Sequence, residues 1–162
     1  MVTMDNAFSY TIFIRTTPKR LWNALTDTTQ TKKWWRVAHV TDWKSGSTYV
    51  LKQNGVTIKD PEQVILESTP HARLAYTWHT FSPQWAALNG FDEETRLRFA
   101  NEARSTVTFE IAKVGHVVRL SVVHDGFDDD SAVLDAVRQG WPPLLSSLKS
   151  YLETAEPLDF TT

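Results

Sequence analysis

One stretch near the end of the chain constrains its fold more than any other: Val133, Leu134, Val137, Trp141, Leu144, Leu145, Leu148, Tyr151 and Leu152 recur at three- and four-residue steps. That spacing places the apolar side chains on one stripe of a long α-helix, and the stripe needs a second layer to cover it. Asp128, Asp129 and Asp130 stand just before it, a charge pattern suited to the positive end of a helix dipole. Gly140, Pro142 and Pro143 interrupt it. Prolines inside a helix remove donors and clash with the preceding turn, so a kink or break near Gly140 is expected.

The covering layer reads as strands. From Ala7 to Thr16 the chain alternates, with Phe8, Tyr10, Ile12 and Ile14 on one parity and Ser9, Thr11, Phe13 and Arg15 on the other. Thr17-Pro18 is then a helix-start signal ahead of Leu21, Trp22 and Leu25, and a second short helix is expected over Gln30 to Trp35. Thr48 to Gln53 reads as a strand, and Asn54-Gly55 after it is the strongest hairpin signal in the chain. Glu62 to Ser68 and Arg73 to Thr80 continue the meander, with Leu74, Tyr76 and Trp78 on one face. Residues 81–104 lack a period and are expected to form a long loop with at most a helical turn. Thr106 to Val114 and Val117 to His124 form a further hairpin, with Val107, Phe109 and Ile111 inward on the first strand and Val118, Leu120, Val122 and His124 sharing a face of the second. Residues 1–154 are read as one domain and 155–162 as a flexible tail.

Composition excludes several functions. The 162 residues contain no Cys, which removes disulfides, thiolate nucleophiles and Cys-type zinc sites. The 17 Lys and Arg against 19 Asp and Glu are scattered, so the basic footprint of a nucleic-acid binder is missing. The first twenty residues do not have the form of a secretion signal and no apolar run is long enough to span a bilayer, so a cytoplasmic protein is expected. There is no nucleotide-binding glycine motif and no GxSxG elbow, and the histidines at 39, 71, 79, 116 and 124 have no metal-ligand spacing; no cofactor, metal or catalytic residue is assigned.

The positive clue is aromatic: 7 Trp, 4 Tyr and 8 Phe, enough to fill a core with rings or to wall a pocket with them. Tyr76, Trp78, Phe109, His124 and Trp141 are the expected ligand-binding residues, with Trp34 and Trp35 near the short helices. His124 shares the inward parity of its strand, where an imidazole can orient a ligand or shuttle a proton; the plainer alternative is a hydrogen bond to backbone near Asp125-Gly126 that helps end the strand. His79, of opposite parity to Tyr76 and Trp78, is expected at the surface or the strand end. Gly140 either keeps room for a ligand or permits close packing of helix on sheet.

These elements form an α+β order. The segments Thr17-Pro18, Leu21 to Asp27 and Lys33-Trp34-Trp35, then Arg73 to Trp78, Ser105 to Phe109, Leu120 to Phe127, and Gly140-Trp141 through Glu153 resemble the START-like (SRPBCC, Bet v 1-like) superfamily in its branch related to the activator of the heat-shock-protein-90 ATPase. The resemblance runs from about Phe8 to Glu153. It implies a helix-grip fold: a curved antiparallel sheet around a long C-terminal helix, with two short helices after the first strand. Members include carriers of hydrophobic molecules, polyketide cyclases and the co-chaperone domain. The favoured implication is a binder of a small hydrophobic or aromatic molecule, without catalysis. A cyclase-like enzyme using a polar residue such as His124 for proton transfer is one alternative. The other is a protein-interaction module, a homodimer or a chaperone partner, with Phe81, Trp85 and Phe91 forming an exposed patch.

Overall fold

A computed structural model describes residues 6–161, so expectations touching residues 1–5 and Thr162 lie outside the described residues. The chain runs β1 (Phe8–Ile14), α1 (Pro18–Thr26), α2 (Thr28–Trp34), β2 (Ala38–Val40), β3 (Thr48–Gln53), β4 (Val56–Thr69), β5 (Arg73–Thr77), α3 (Pro83–Leu88), α4 (Glu93–Ala100), β6 (Thr106–Val114), β7 (Val117–Asp125) and α5 (Ala132–Thr154). The strands form one curved antiparallel sheet in the order β1-β7-β6-β5-β4-β3-β2. This is the expected α+β helix-grip architecture.

Period-two patterning sets the register. Phe8 pairs with His124, Ile14 with Val118 and Phe109 with Val122, so the inward parities of β1, β6 and β7 meet on one face. Val107, Phe109, Leu120 and Val122 are fully buried there, as are Leu145 and Leu148 of α5. Two register shifts, near Thr48 and near Ile65, put bulges in the β3–β4 and β4–β5 pairings and so bend the sheet. Gln63 lies between them, fully buried: its Nε2 donates to the carbonyls of Tyr49 (3.1 Å) and Ile58 (3.2 Å), and its Oε1 accepts the Thr80 N–H at 2.9 Å. One side chain thereby satisfies backbone groups that the bulged ladder leaves unpaired.

Several boundaries differ from the sequence reading. Asp27 begins α2 at Thr28 rather than Gln30, because its Oδ1 accepts from the N–H groups of Thr29 (2.8 Å) and Gln30 (3.3 Å). The short strand β2 has three residues, too few to show a period. The hairpin partner of β3 and the strand expected from Glu62 are one 14-residue strand that passes through Pro61. Residues 81–104 are two helices instead of a loop: Ser82 and Asp92 cap them by accepting from Trp85 N–H (3.1 Å) and Thr95 N–H (2.8 Å). Ser82-Pro83 is a helix start as much as a turn.

Helix α5 runs without a break through Pro142 and Pro143. One turn before the two prolines, where they withhold helical donors, residues 138–140 are exposed, so the altered turn lies at the surface. Its N-cap is Ser131, and the carboxylate at its positive end is Glu102, which accepts from the N–H groups of Ala132 (2.9 Å) and Val133 (3.3 Å). The following segment lies along α2 and α5, with Leu158 N–H donating to Ser147 Oγ at 3.2 Å and Arg36 bonded to Asp159 at 3.1 Å.

Candidate functional site

Helix α5 leaves the sheet uncovered toward β3, and α3 and α4 roof the gap. The result is a cavity of about 340 Å³. Tyr49 and Leu51 of β3 form its floor, Trp78 and His79 extend it past β5, and Trp35, Val37 and His39 close one side. Phe81, Trp85, Phe91 and Phe99 come from the helical roof; Val137, Gly140, Trp141 and Leu144 come from α5. Toward solvent, Gln53 Nε2 donates to Asn89 Oδ1 at 3.1 Å while Asn89 Nδ2 donates to Gln53 Oε1 at 3.4 Å.

The roof is a chain of ring contacts. Phe81 lies 5.2 Å from both Trp85 and Phe99, and Trp85 and Phe91 stack at 5.3 Å. The three rings expected to form an exposed patch, Phe81, Trp85 and Phe91, therefore turn inward and are half-buried against their own domain. Gly140 borders the cavity, and a Cβ built there meets no atom within 4 Å, so close packing of helix on sheet is not its role.

Behind the wall, His124 is fully buried and bonded on both sides. Trp141 Nε1–H, which can only donate, points at Nδ1 from 3.1 Å. The ring proton is therefore on Nε2, which donates to Ser105 Oγ at 2.8 Å. These partners are side chains, where the plain sequence reading had backbone. Burial, helped by nearby His79, lowers its pKa to about 3. With no nitrogen to spare and no wall position, it orients Trp141.

His39 and His79 line the cavity itself. His39 sits among the rings of Trp35 (5.1 Å), Tyr76 (5.2 Å), Tyr49 (5.4 Å) and Trp43 (6.1 Å), and its enclosed Nδ1 has no hydrogen-bond partner. His79 Nδ1 lies 2.9 Å from Thr80 O. Burial is the main cause that lowers both pKa values, to about 3 for His39 and about 4 for His79. His79 stands just past the end of β5, as one of its two expected positions had it, but not at the surface: the parity argument fails because β5 ends at Thr77 and the alternation stops with it. Only 7% of His79 is exposed.

Of the five expected residues, Trp78 and Trp141 stand in the wall, 5.8 Å apart. Tyr76, Phe109 and His124 form the layer behind: Phe109 is 6.0 Å from Tyr76 and 5.9 Å from Trp141, and His124 is 4.7 Å from Trp78. Trp35 lines the cavity, whereas Trp34 is turned away and donates its Nε1–H to Ala24 O at 2.8 Å. Among the wall residues missed in sequence, His39 lies on a three-residue strand and His79 just past the end of β5, where a period carries no information.

No curated protein sequence matches the chain. The sequence pattern of the family described as "Activator of Hsp90 ATPase homolog 1-like protein" matches residues 15–153. The chain belongs to this family. Among solved structures, the Aha1 dimer from Colwellia psychrerythraea is similar, with a TM-score of 0.66 and 19% identity over 91% of this chain and 96% of that one. Protein MLL2253 from Mesorhizobium loti gives 0.69 and 22%, over 90% and 96%. DynU16, a protein of the dynemicin biosynthetic locus, gives 0.70 and 15%, over 94% of this chain and 49% of that one. At these identities the likeness is one of fold.

As a member of the Hsp90-ATPase-activator-like family, the chain uses the helix-grip scaffold to hold a ring-walled cavity between sheet and last helix. Among the described residues, no three His, Asp or Glu stand together in a way that could hold a metal ion. No described helix is long and apolar enough to cross a membrane.

Proposed function

We propose that this protein binds a small hydrophobic or aromatic molecule in the cavity between the sheet and α5 and holds it without chemical change. The observation that carries the reading is the cavity: about 340 Å³ walled by aromatic and aliphatic side chains, within the size range of small-ligand sites. The origin of DynU16 in a biosynthetic locus fits the handling of small molecules, as a fold-level analogy. For a cyclase-like reaction the residue expected to transfer a proton is a polar one such as His124, and both nitrogens of that ring are engaged. Binding is therefore better supported than turnover. A protein-partner role loses its motive with the inward turn of Phe81, Trp85 and Phe91. Self-association is a separate expectation drawn from the Colwellia dimer, and sedimentation velocity checks it.

Thermal denaturation and Trp fluorescence against fatty acids, sterols, flavonoids and polycyclic aromatics test the reading. A ligand at about 100 times its Kd should add roughly 2.7 kcal/mol. Gly140→Phe, whose new Cβ meets no neighbour within 4 Å, should keep the fold while filling the cavity edge and should abolish the shift. A folded wild-type protein that no compound in the panel stabilises would overturn the reading.

A further inference from the structure

His79 has one nitrogen committed and one open. Its Nδ1 lies 2.9 Å from the carbonyl oxygen of Thr80, and a carbonyl only accepts, so the ring proton is on Nδ1 and Nε2 presents a lone pair. No described residue donates to that nitrogen. It is also absent from the enclosed unpartnered side-chain atoms, which among the described residues are Thr16 Oγ1, His39 Nδ1 and Arg104 Nε, so it meets free volume. That volume is the cavity together with an adjoining hollow of about 80 Å³, which shares Trp78, His79, Phe81 and Phe99 with it.

The surroundings narrow what can fill it. Trp85 lies 4.9 Å and Phe81 5.1 Å from the imidazole, so aromatic surface adjoins it. Of the other polar groups nearby, Tyr49 Oη donates to Thr77 O at 2.7 Å, Gln53 and Asn89 bond each other, and Arg104 donates through its terminal nitrogens to Trp78 O at 2.7 Å and to Thr80 Oγ1 at 2.9 Å, whereas Arg104 Nε and His39 Nδ1 are without a partner but enclosed. A purely apolar occupant would leave Nε2 desolvated and unpaired, whereas one bearing a donor satisfies it. Burial lowers the pKa to about 4, so the imidazole is neutral and its lone pair available at neutral pH.

We infer that His79 selects the ligand: the cavity takes an aromatic molecule bearing a hydroxyl group, and that hydroxyl donates to His79 Nε2. The inference rests on the ligand-binding reading above and adds the chemistry by which the site discriminates.

Calorimetric titration with 2-naphthol, 2-methoxynaphthalene and naphthalene tests it. The three share a ring system, and only the first can donate. The wild-type protein should bind 2-naphthol about tenfold more tightly than 2-methoxynaphthalene, a difference of about 1.4 kcal/mol. In His79→Phe the preference should fall to near unity while naphthalene still binds. Should that variant fail to fold, the ¹⁵N resonance of His79 Nε2 decides: 2-naphthol should move it in the direction of an accepted hydrogen bond, and 2-methoxynaphthalene should not. Equal wild-type binding of all three probes overturns the inference and leaves the ligand-binding reading standing. No binding of any probe by folded protein up to its solubility also overturns the inference, and the ligand-binding reading then stands or falls with the wider panel above.

Discussion

His124 and His79 flank the same tryptophan, with ring centroids 4.7 and 5.2 Å from Trp78, and both are buried with lowered pKa values. They differ in partners. On the α5 side, His124 accepts a hydrogen bond from Trp141 and donates one to Ser105; on the roof side, His79 donates one to Thr80 and accepts none from the described residues. Burial and depressed basicity alone do not separate a structural imidazole from an available one. Counting which ring nitrogens are occupied does.

Acid should erase the distinction first. His39, His79 and His124 all have folded-state pKa values below the ordinary 6.5, so the unfolded chain binds more protons than the folded one. Their stabilising contribution is full above about pH 6.5 and falls as pH drops toward 4. At pH 5 the loss should be about 2 kcal/mol for each histidine relative to pH 8. The carboxylates with lowered pKa values, such as Asp60 and Glu153, withdraw their contribution only at still lower pH, so the window from 6.5 to 5 belongs to the imidazoles. Urea unfolding at pH 8, 6 and 5 measures it. An unchanged midpoint would mean that these rings take up protons without unfolding.

Next in size, His124→Ala leaves the Trp141 Nε1–H and the Ser105 hydroxyl without partners beside a new void and should cost about 3 kcal/mol. By contrast, His79→Phe should change stability by less than about 1 kcal/mol, because it strands one carbonyl, of the half-buried Thr80, and keeps the ring contacts. Equal losses in denaturant melts would break the comparison. Ser105→Ala is the finer probe: it removes only the acceptor of His124 Nε2–H and should cost about 1–2 kcal/mol. The smallest expected effect is a gain. Gly140→Ala has open space for its methyl group and helical backbone, so it should stabilise by about 0.5–1 kcal/mol, seen as a higher Tm.

How much of this the sequence discloses depends on the kind of element. Where a strand or helix is long and one face is buried, as in β1, β6, β7 and α5, the period names both the element and its inward residues; Val107, Phe109, Leu120 and Leu148 are where the alternation or the helical step puts them. The cavity is built mostly from the opposite kind of material. Its roof consists of helices of 6 and 8 residues, too short to show a stripe, and its histidines lie on a three-residue strand and just past the end of β5. Tyr76 and Phe109 have the inward direction expected of them, yet a second layer of rings stands between them and the open volume. Parity tells which way a side chain points and carries nothing about how deep the packing continues in front of it.

Asp27 shows how small a determinant of that packing can be. Its N–H closes α1 on Asn23 O at 2.8 Å while its carboxylate opens α2, so one residue fixes where the first helix stops and the second begins. An α-helix turns by about 100° per residue, and the starting point therefore sets the rotational phase of everything after it. At the far end of α2 that phase decides between adjacent indoles, sending Trp34 back to Ala24 and Trp35 to the cavity. A frame slipped by one position would exchange their roles, so the identity of the aromatic wall is encoded in part at a cap some eight residues upstream that is itself no part of the wall.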